Sequence, residues 1–282
     1  GFSLGFGAMN GILASKARNV PKPTLPLGAN PVKAFCPAGR TNDLLLRPGM
    51  ELDYDGQKLT MPDIRLVYSA GGNPFHHNAN VNRLVEAWQR PETVIVHEIW
   101  WNAAAKHADI VLPSTTTMER NDILASDQQK HWIAMKQAVA PHAQSRNDFD
   151  IFAELADRMG FRDAFTENRT EMGWLEHMYE EARTAAEAAG YAPPHFAEFW
   201  EEGSCFFPEP ETDEVLLGDF ANDPEAHPLR TPSGKIEIFS ERIAGFDYLD
   251  CPGHPAWMEP AEWLGAPLAQ RSPLAPPLLD PL

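Results

Sequence analysis

Cysteine, positive charge and long apolar runs are all scarce in this sequence. The three cysteines, Cys36, Cys205 and Cys251, lie far apart and form no Cys-x-x-Cys pair. We therefore expect this chain alone to hold neither a zinc ribbon nor an iron–sulfur cluster. No apolar run approaches the ~20 residues that a membrane-spanning helix needs.

The charge balance restricts the classes of partner. Lysine and arginine together number 23 against 40 aspartates and glutamates, so the net charge of the 282 residues is −17. A surface this acidic repels the phosphates of nucleic acids and of anionic lipids. We expect no nucleic-acid partner and no membrane contact. A phosphate-bearing ligand would have to be held by backbone amides and a few selected side chains.

Strand and helix patterns alternate between residues 63 and 160. Strand-forming runs occupy residues 64–70, 93–97 and 109–113, and apolar residues recur at helical spacing over residues 81–88. This order predicts an α/β fold whose core is a parallel, Rossmann-like sheet with right-handed crossovers. Open α/β sheets bind ligands at the carboxyl ends of their strands, so we expect the candidate ligand contacts of this core there.

The flanking regions have other compositions. Residues 1–62 form a Gly/Pro-rich segment in which Asp55-Gly56 predicts a hairpin turn. Residues 161–266 carry helical patterns, and we predict one further β-strand at residues 235–239. Proline and leucine dominate residues 267–282, which we expect to be a disordered tail.

Glycines and polar side chains follow the first predicted strand of the parallel sheet. The candidate ligand-binding residues there are Gly71, Gly72, Asn73, Pro74 and His77. Glycine lets the backbone approach a ligand closely, and free amides at a helix start can hold a phosphate oxygen. The alternative is a plain structural turn, because no G-x-G-x-x-G fingerprint is present.

Two further candidate sites follow the next strands. His97 and Glu98 end the second strand, where a carboxylate accepts hydrogen bonds from a ribose or from a guanine edge. Asp122 follows a run of hydroxyl side chains after the third strand. The alternatives are a helix cap or solvated acid at Glu98 and a surface ion pair between Glu119 and Arg120.

The sequence contains no recognisable catalytic or metal-ligating set. Its histidines lie on several predicted elements and lack the spacing of H-E-x-x-H, so we predict no metal ligand in this chain. No Ser-His-Asp or nucleophilic cysteine arrangement is visible either. We therefore assign no catalytic residue to this chain.

Taken together and in this order, the motifs resemble the molybdopterin-dependent oxidoreductases. The Phe-His-His version after Gly-Gly-Asn-Pro resembles the branch that contains dimethyl sulfoxide, trimethylamine N-oxide and biotin sulfoxide reductases. The resemblance speaks against a formate dehydrogenase-like enzyme. The matching segments are residues 62–68, 70–77, 82–83, 108–113, 119–122, 146–152, 231–237, 253–255, 259–260 and 262–265.

The resemblance implies a bis-molybdopterin guanine dinucleotide cofactor, a molybdenum centre and a small S-oxide or N-oxide substrate reduced with electrons from a donor. Asn73 and His77 would contact the cofactor beside Gly71-Gly72. His97 and Glu98 would line the nucleotide pocket, and Asp122 would lie near the guanine.

The family's molybdenum ligand and its closing carboxyl-terminal domain have no counterpart here, so the resemblance implies a central fragment of a larger multidomain enzyme. We expect this chain alone to lack turnover. Because the resemblance leaves the compartment open, the bacterial periplasm and the cytoplasm both remain possible. The alternative function is a noncatalytic nucleotide- or protein-binding α/β module derived from such an enzyme.

Overall fold

A short helix and a β-hairpin precede the main sheet. The computed structural model describes residues 20–78, 80–126, 130–208, 215 and 217–258. Helix α1 (Thr41–Leu46) leads to the antiparallel strands β1 (Glu51–Tyr54) and β2 (Gln57–Thr60). Between the strands Asp55 and Gly56 both have positive φ, 48° and 73°, as a tight hairpin turn requires. The predicted hairpin is therefore confirmed.

Three parallel strands form the next sheet, in the order β3-β4-β5. In chain order the elements are β3 (Leu66–Ala70), α2 (Pro74–His77), α3 (Val81–Trp88), β4 (Thr93–Glu98), α4 (Ala103–Lys106) and β5 (Ile110–Pro113). Parallel neighbours need a crossover connection, which α3 provides between the first two strands and α4 between the last two. The α/β fold with a parallel sheet is confirmed.

One face of the parallel sheet carries an apolar core. Side chains alternate along a strand, so Val94 and Val96 face the same way, and both are buried. They pack with Leu84 and Trp88 of α3 and with Ala104 of α4. The opposite face of β4, which includes His97, therefore has to be covered by other elements.

A second sheet is antiparallel, in the order β6-β7-β8. Its strands and the helices around it are β6 (Asp122–Leu124), β7 (His131–Met135), α5 (Asp148–Arg158), α6 (Arg162–Thr166), α7 (Glu171–Ala188), α8 (Phe196–Glu202) and β8 (Ser204–Phe206). Trp132, Tyr179 and Phe199 are buried together in its core. Tyr179 stacks on Phe199 with ring centroids 4.4 Å apart and donates a 2.7 Å hydrogen bond to the Pro194 carbonyl.

Local sequence determines where the helices begin and end. The Thr170 hydroxyl accepts from the Gly173 amide, and the Asn147 side chain accepts from the Phe149 amide. These N-caps satisfy amide groups that have no partner inside the helix. Gly160 and Gly190 follow α5 and α7 with φ of 81° and 90°, the left-handed conformation that ends a helix.

The prediction of a strand at residues 235–239 is wrong. This segment pairs with no strand in the described part of the chain, and Ile236 and Ile238 expose 72% and 83% of their surface. Local bonds hold the preceding turn instead, because the Thr231 hydroxyl donates to the Lys235 carbonyl. The helices α9 (Gly218–Asn222) and α10 (Glu241–Ala244) flank this segment.

Both ends of the chain, including the predicted tail at residues 267–282 and the first 19 residues, lie outside the described residues. Within the described part, no helix combines the length and the apolar character that crossing a membrane requires.

The apolar core beneath the parallel sheet yields a stability prediction. Leu84 is 0% exposed, whereas Val81 on the same helix is 44% exposed. We expect Leu84→Ala to lower the free energy of unfolding by ~2–5 kcal/mol, since it leaves a cavity. Val81→Ala should change it by no more than ~0.5 kcal/mol. Denaturant titration measures both, and equal losses would contradict the assigned helix face.

Candidate functional site at the carboxyl ends of the parallel strands

The register of the parallel sheet brings the first two candidate segments to one edge. Ala70 pairs with His97 and Glu98 pairs with Pro113, so β3, β4 and β5 end side by side. The residues that follow each strand therefore emerge at the same edge of the sheet, where open α/β sheets bind ligands.

The Gly71-Gly72 turn leaves its backbone accessible. Both glycines have φ of 77°, a conformation that side chains strongly disfavour. A Cβ placed on either residue would meet no atom within 4 Å. The turn therefore borders open space, in which a ligand can approach the backbone closely.

Asn73 holds a buried donor with no partner. Its Oδ1 accepts a 3.1 Å hydrogen bond from the Phe75 amide and so caps α2, which begins with Pro74. The residue exposes only 9% of its surface, and its Nδ2 makes no hydrogen bond among the described residues. Because a buried donor without a partner costs free energy, this nitrogen is a candidate contact for a ligand oxygen.

His77 and Glu98 present polar side chains near this turn. His77 is exposed at the end of α2. Glu98 is half-buried, its carbonyl accepts from the Ser114 amide at 3.1 Å, and its carboxylate forms no hydrogen bond or ion pair with the residues that the structure describes. A carboxylate of this kind can accept hydrogen bonds from a ligand.

His97 faces away from the open edge, into the protein. Its Nε2 lies 2.7 Å from the Tyr68 hydroxyl and its Nδ1 lies 2.7 Å from Asp148 Oδ1, so both ring nitrogens have protein partners. Burial and the nearby charge of Asp148 raise the pKa of Tyr68. Direct cofactor contact by His97 stays a prediction. Sequence reasoning missed Tyr68 and Asp148 because no local pattern links them to His97.

Asp122 lies on a different sheet from the other candidates. It begins β6, its Oδ1 accepts from the Ile123 amide at 2.9 Å, and its Oδ2 pairs with Arg120 at 3.3 Å. The strand register therefore places the Gly71-Gly72 turn and Glu98 at one edge of the parallel sheet, whereas Asp122 lies on the other sheet and pairs with Arg120. Its role at the guanine stays a prediction.

The hydroxyl segment after β5 is organised by Glu119. Its Oε2 accepts from the Thr116 amide at 2.8 Å and hydroxyl at 3.0 Å, and its Oε1 accepts from the His142 amide at 2.7 Å. These hydrogen bonds lower the pKa of Glu119, and the one from the Thr116 amide has the largest effect. Glu119 thus shapes the loop beside the end of β5, and the surface ion-pair interpretation does not account for it.

No protein-ligated metal centre is found in the described part of the chain. There, no three His, Cys, Asp or Glu side chains are grouped so that they could hold a metal ion. The polar groups at the sheet edge are suited to hydrogen bonding with an organic ligand.

Comparison with known proteins identifies the family. The family model for molybdopterin oxidoreductases matches residues 3–158, more than half of the chain. The chain belongs to the molybdopterin oxidoreductase family. The match includes every candidate residue of the sheet edge, and it confirms the resemblance carried by the motifs.

Curated relatives of this molybdopterin oxidoreductase chain are S-oxide and N-oxide reductases by name. It is 45% identical to a biotin sulfoxide reductase of Cereibacter sphaeroides over 94% of this chain and 36% of the relative. A dimethyl sulfoxide/trimethylamine N-oxide reductase of the same organism is 49% identical over 81% of this chain and 28% of the relative. A trimethylamine-N-oxide reductase of Haemophilus influenzae is 47% identical over 86% of this chain and 30% of the relative.

The chain spans about a third of the length of these relatives. Among solved structures, acetylene hydratase from Pelobacter acetylenicus is similar over 79% of this chain and 26% of that one, at a TM-score of 0.49 and 18% identity.

The Glu119 contacts in this family member yield a prediction on pH. Because its pKa in the folded protein is below the usual 4.5, the ionised carboxylate stabilises the fold above pH 4.5. That contribution is lost as the pH falls through the lowered pKa. We expect the stability of Glu119→Gln to fall less than that of the parent between about pH 6 and about pH 3.

Glu86→Gln is the matched control, since Glu86 is an exposed carboxylate on α3. Denaturant titration at each pH measures the change in the free energy of unfolding. If Glu119→Gln follows the acid profile of the parent, Glu119 does not stabilise the loop through its ionised form.

Proposed function

We propose that the whole protein carrying this chain reduces an S-oxide or N-oxide by oxygen-atom transfer. The support is the set of relatives at 45–49% identity whose names state these activities. Bound cofactor, proposed as bis-molybdopterin guanine dinucleotide, would supply the molybdenum at which the oxygen atom and two electrons are exchanged. An electron donor completes the reaction.

Within that protein, we propose that residues 63–160 form a Rossmann-like unit that holds part of the cofactor. The observation that carries this assignment is the unpartnered Asn73 Nδ2, nine-tenths buried beside two glycines that border open space. An amide nitrogen can only donate, so the ligand must present an acceptor there, such as a phosphate or carbonyl oxygen. A molybdopterin guanine dinucleotide carries both.

Five candidate residues at the sheet edge carry the proposed contacts. Gly71 and Gly72 let the cofactor approach the backbone, and Asn73 and His77 contact it beside that turn. The Glu98 carboxylate accepts from a ribose hydroxyl or from the N1–H and 2-amino group of guanine. Since adenine lacks that donor pair, a carboxylate in the pocket selects guanine.

Asn73→Asp tests the donor while leaving the helix cap intact. Aspartate caps a helix as well as asparagine does, but it offers no N–H and brings a negative charge toward the phosphates. We expect about tenfold or greater loss of cofactor affinity, since a charge-assisted hydrogen bond is replaced by repulsion. The measurement is molybdenum and guanine nucleotide retained by the purified whole protein.

Asn80→Asp is the matched control. Asn80 caps α3 by accepting from the Arg83 amide at 3.1 Å, so this variant also changes a capping asparagine to aspartate. It should retain cofactor as the parent does. Full occupancy in Asn73→Asp would remove the support for this site. A parent that holds no molybdenum would favour the noncatalytic module instead.

The two carboxylates proposed for the nucleotide can be separated. Glu98 is unpaired among the described residues, whereas Asp122 is paired with Arg120. We expect Glu98→Gln to weaken guanine nucleotide retention about tenfold to a hundredfold, equivalent to ~1.5–3 kcal/mol. Asp122→Asn should have the smaller effect. If Asp122→Asn alone releases the nucleotide, Asp122 is the guanine contact and the Glu98 assignment is wrong.

A further inference from the structure

A chain of hydrogen bonds crosses the parallel sheet directly behind the candidate site. The Tyr68 hydroxyl lies 2.7 Å from His97 Nε2, and His97 Nδ1 lies 2.7 Å from Asp148 Oδ1. The Ser114 hydroxyl donates to the same Asp148 oxygen at 2.9 Å. We call these four residues the His97 network. It joins β3, β4, the residue after β5 and the first residue of α5.

The chemistry of the partners determines the direction of each hydrogen bond. An ionised Asp148 can only accept, so His97 Nδ1 carries the proton and donates it. If the ring is neutral, Nε2 is then an acceptor, and the Tyr68 hydroxyl donates to it. Each polar atom of the buried imidazole thus has a partner of the required kind.

Packing against an aromatic ring restricts the orientation of the His97 imidazole. His97 exposes 2% of its surface, and its ring stacks on Phe152 of α5 with centroids 4.9 Å apart and an interplanar angle of 25°. Tyr68 stacks on the same phenyl ring at 5.8 Å. The backbone of Asp148 is held at the first position of α5, directly after the capping residue Asn147.

The network adjoins the ends of the two strands that lead to the proposed ligand contacts. His97 pairs in register with Ala70, which immediately precedes Gly71, and Glu98 immediately follows His97. Fixing the His97 side chain therefore constrains the end of β4, which carries Glu98, and the paired end of β3, three residues before Asn73. A site of this kind depends on the residues that hold its ligand contacts in place.

We propose that His97 is a positioning residue, which acts through Tyr68, Asp148 and Ser114 to set the separation of the Asn73 and Glu98 side chains. This inference rests on the proposed function, because it takes those two side chains to be cofactor contacts. It departs from the sequence-based expectation that His97 lines the pocket itself.

The test uses the whole protein loaded with cofactor and measures the rate at which molybdenum and guanine nucleotide are released. Tyr68→Phe removes one hydroxyl and leaves His97 Nε2 without a donor, and Asp148→Ala removes the acceptor of Nδ1. We expect both to release cofactor about tenfold faster than the parent, since misplaced contacts weaken binding. Asp148→Asn keeps an oxygen acceptor for both donors and should restore release to within about twofold of the parent.

Tyr179→Phe is the matched control for loss of a buried hydroxyl. Tyr179 is fully buried in the core of the other sheet and donates a 2.7 Å hydrogen bond to the Pro194 carbonyl. The Tyr179→Phe variant should lower the melting temperature about as much as Tyr68→Phe does, yet release cofactor at the parent rate. A purely structural role for the His97 network predicts equal release from the two variants.

The outcomes separate this inference from the proposed function. If Asn73→Asp loses cofactor while Tyr68→Phe and Asp148→Ala retain it, the site stands and the positioning role is overturned. If Asp148→Asn releases cofactor as fast as Asp148→Ala, the charge of Asp148 acts instead of the hydrogen bonds, and the positioning role is again overturned. A parent without cofactor overturns both proposals.

Discussion

The backbone pairing between β3 and β4 is the constraint on which the rest of the site depends. It places Ala70 opposite His97, and the adjoining pair of β4 with β5 places Glu98 opposite Pro113. A slip of one residue would turn every side chain of a strand to the other face of the sheet. The same slip would put Val96 or Glu98 in the place of His97, so the core and the site share one register.

The two faces of this sheet are stabilised in different ways. Apolar side chains of α3 and α4 cover the face of Val94 and Val96, where burial alone stabilises the packing. The face of His97 buries an imidazole, whose nitrogens need partners. Tyr68 and Asp148 supply them, and Phe152 covers the ring. Asn73, at the edge of the same sheet, has one buried donor without a partner among the described residues, and the proposed cofactor contact would satisfy it.

Local patterns were sufficient to predict most of this architecture. The runs at 64–70, 93–97 and 109–113 became β3, β4 and β5, because such runs depend on residues close in sequence. The His97 network was missed, since Asp148 lies 51 residues beyond His97. The strand predicted at 235–239 was wrong because a strand needs a partner, which an alternating pattern does not supply.

We propose above all that the open carboxyl edge of the parallel sheet binds the guanine nucleotide part of the cofactor. An electron cryomicroscopy structure of the whole, cofactor-loaded protein tests it most directly. We expect an acceptor oxygen of the cofactor about 2.7–3.2 Å from Asn73 Nδ2, with Glu98 beside the nucleotide and His97 still bonded to Tyr68 and Asp148. Cofactor density away from the Gly71-Gly72 turn, with Asn73 Nδ2 bonded only to protein or water, would contradict the claim.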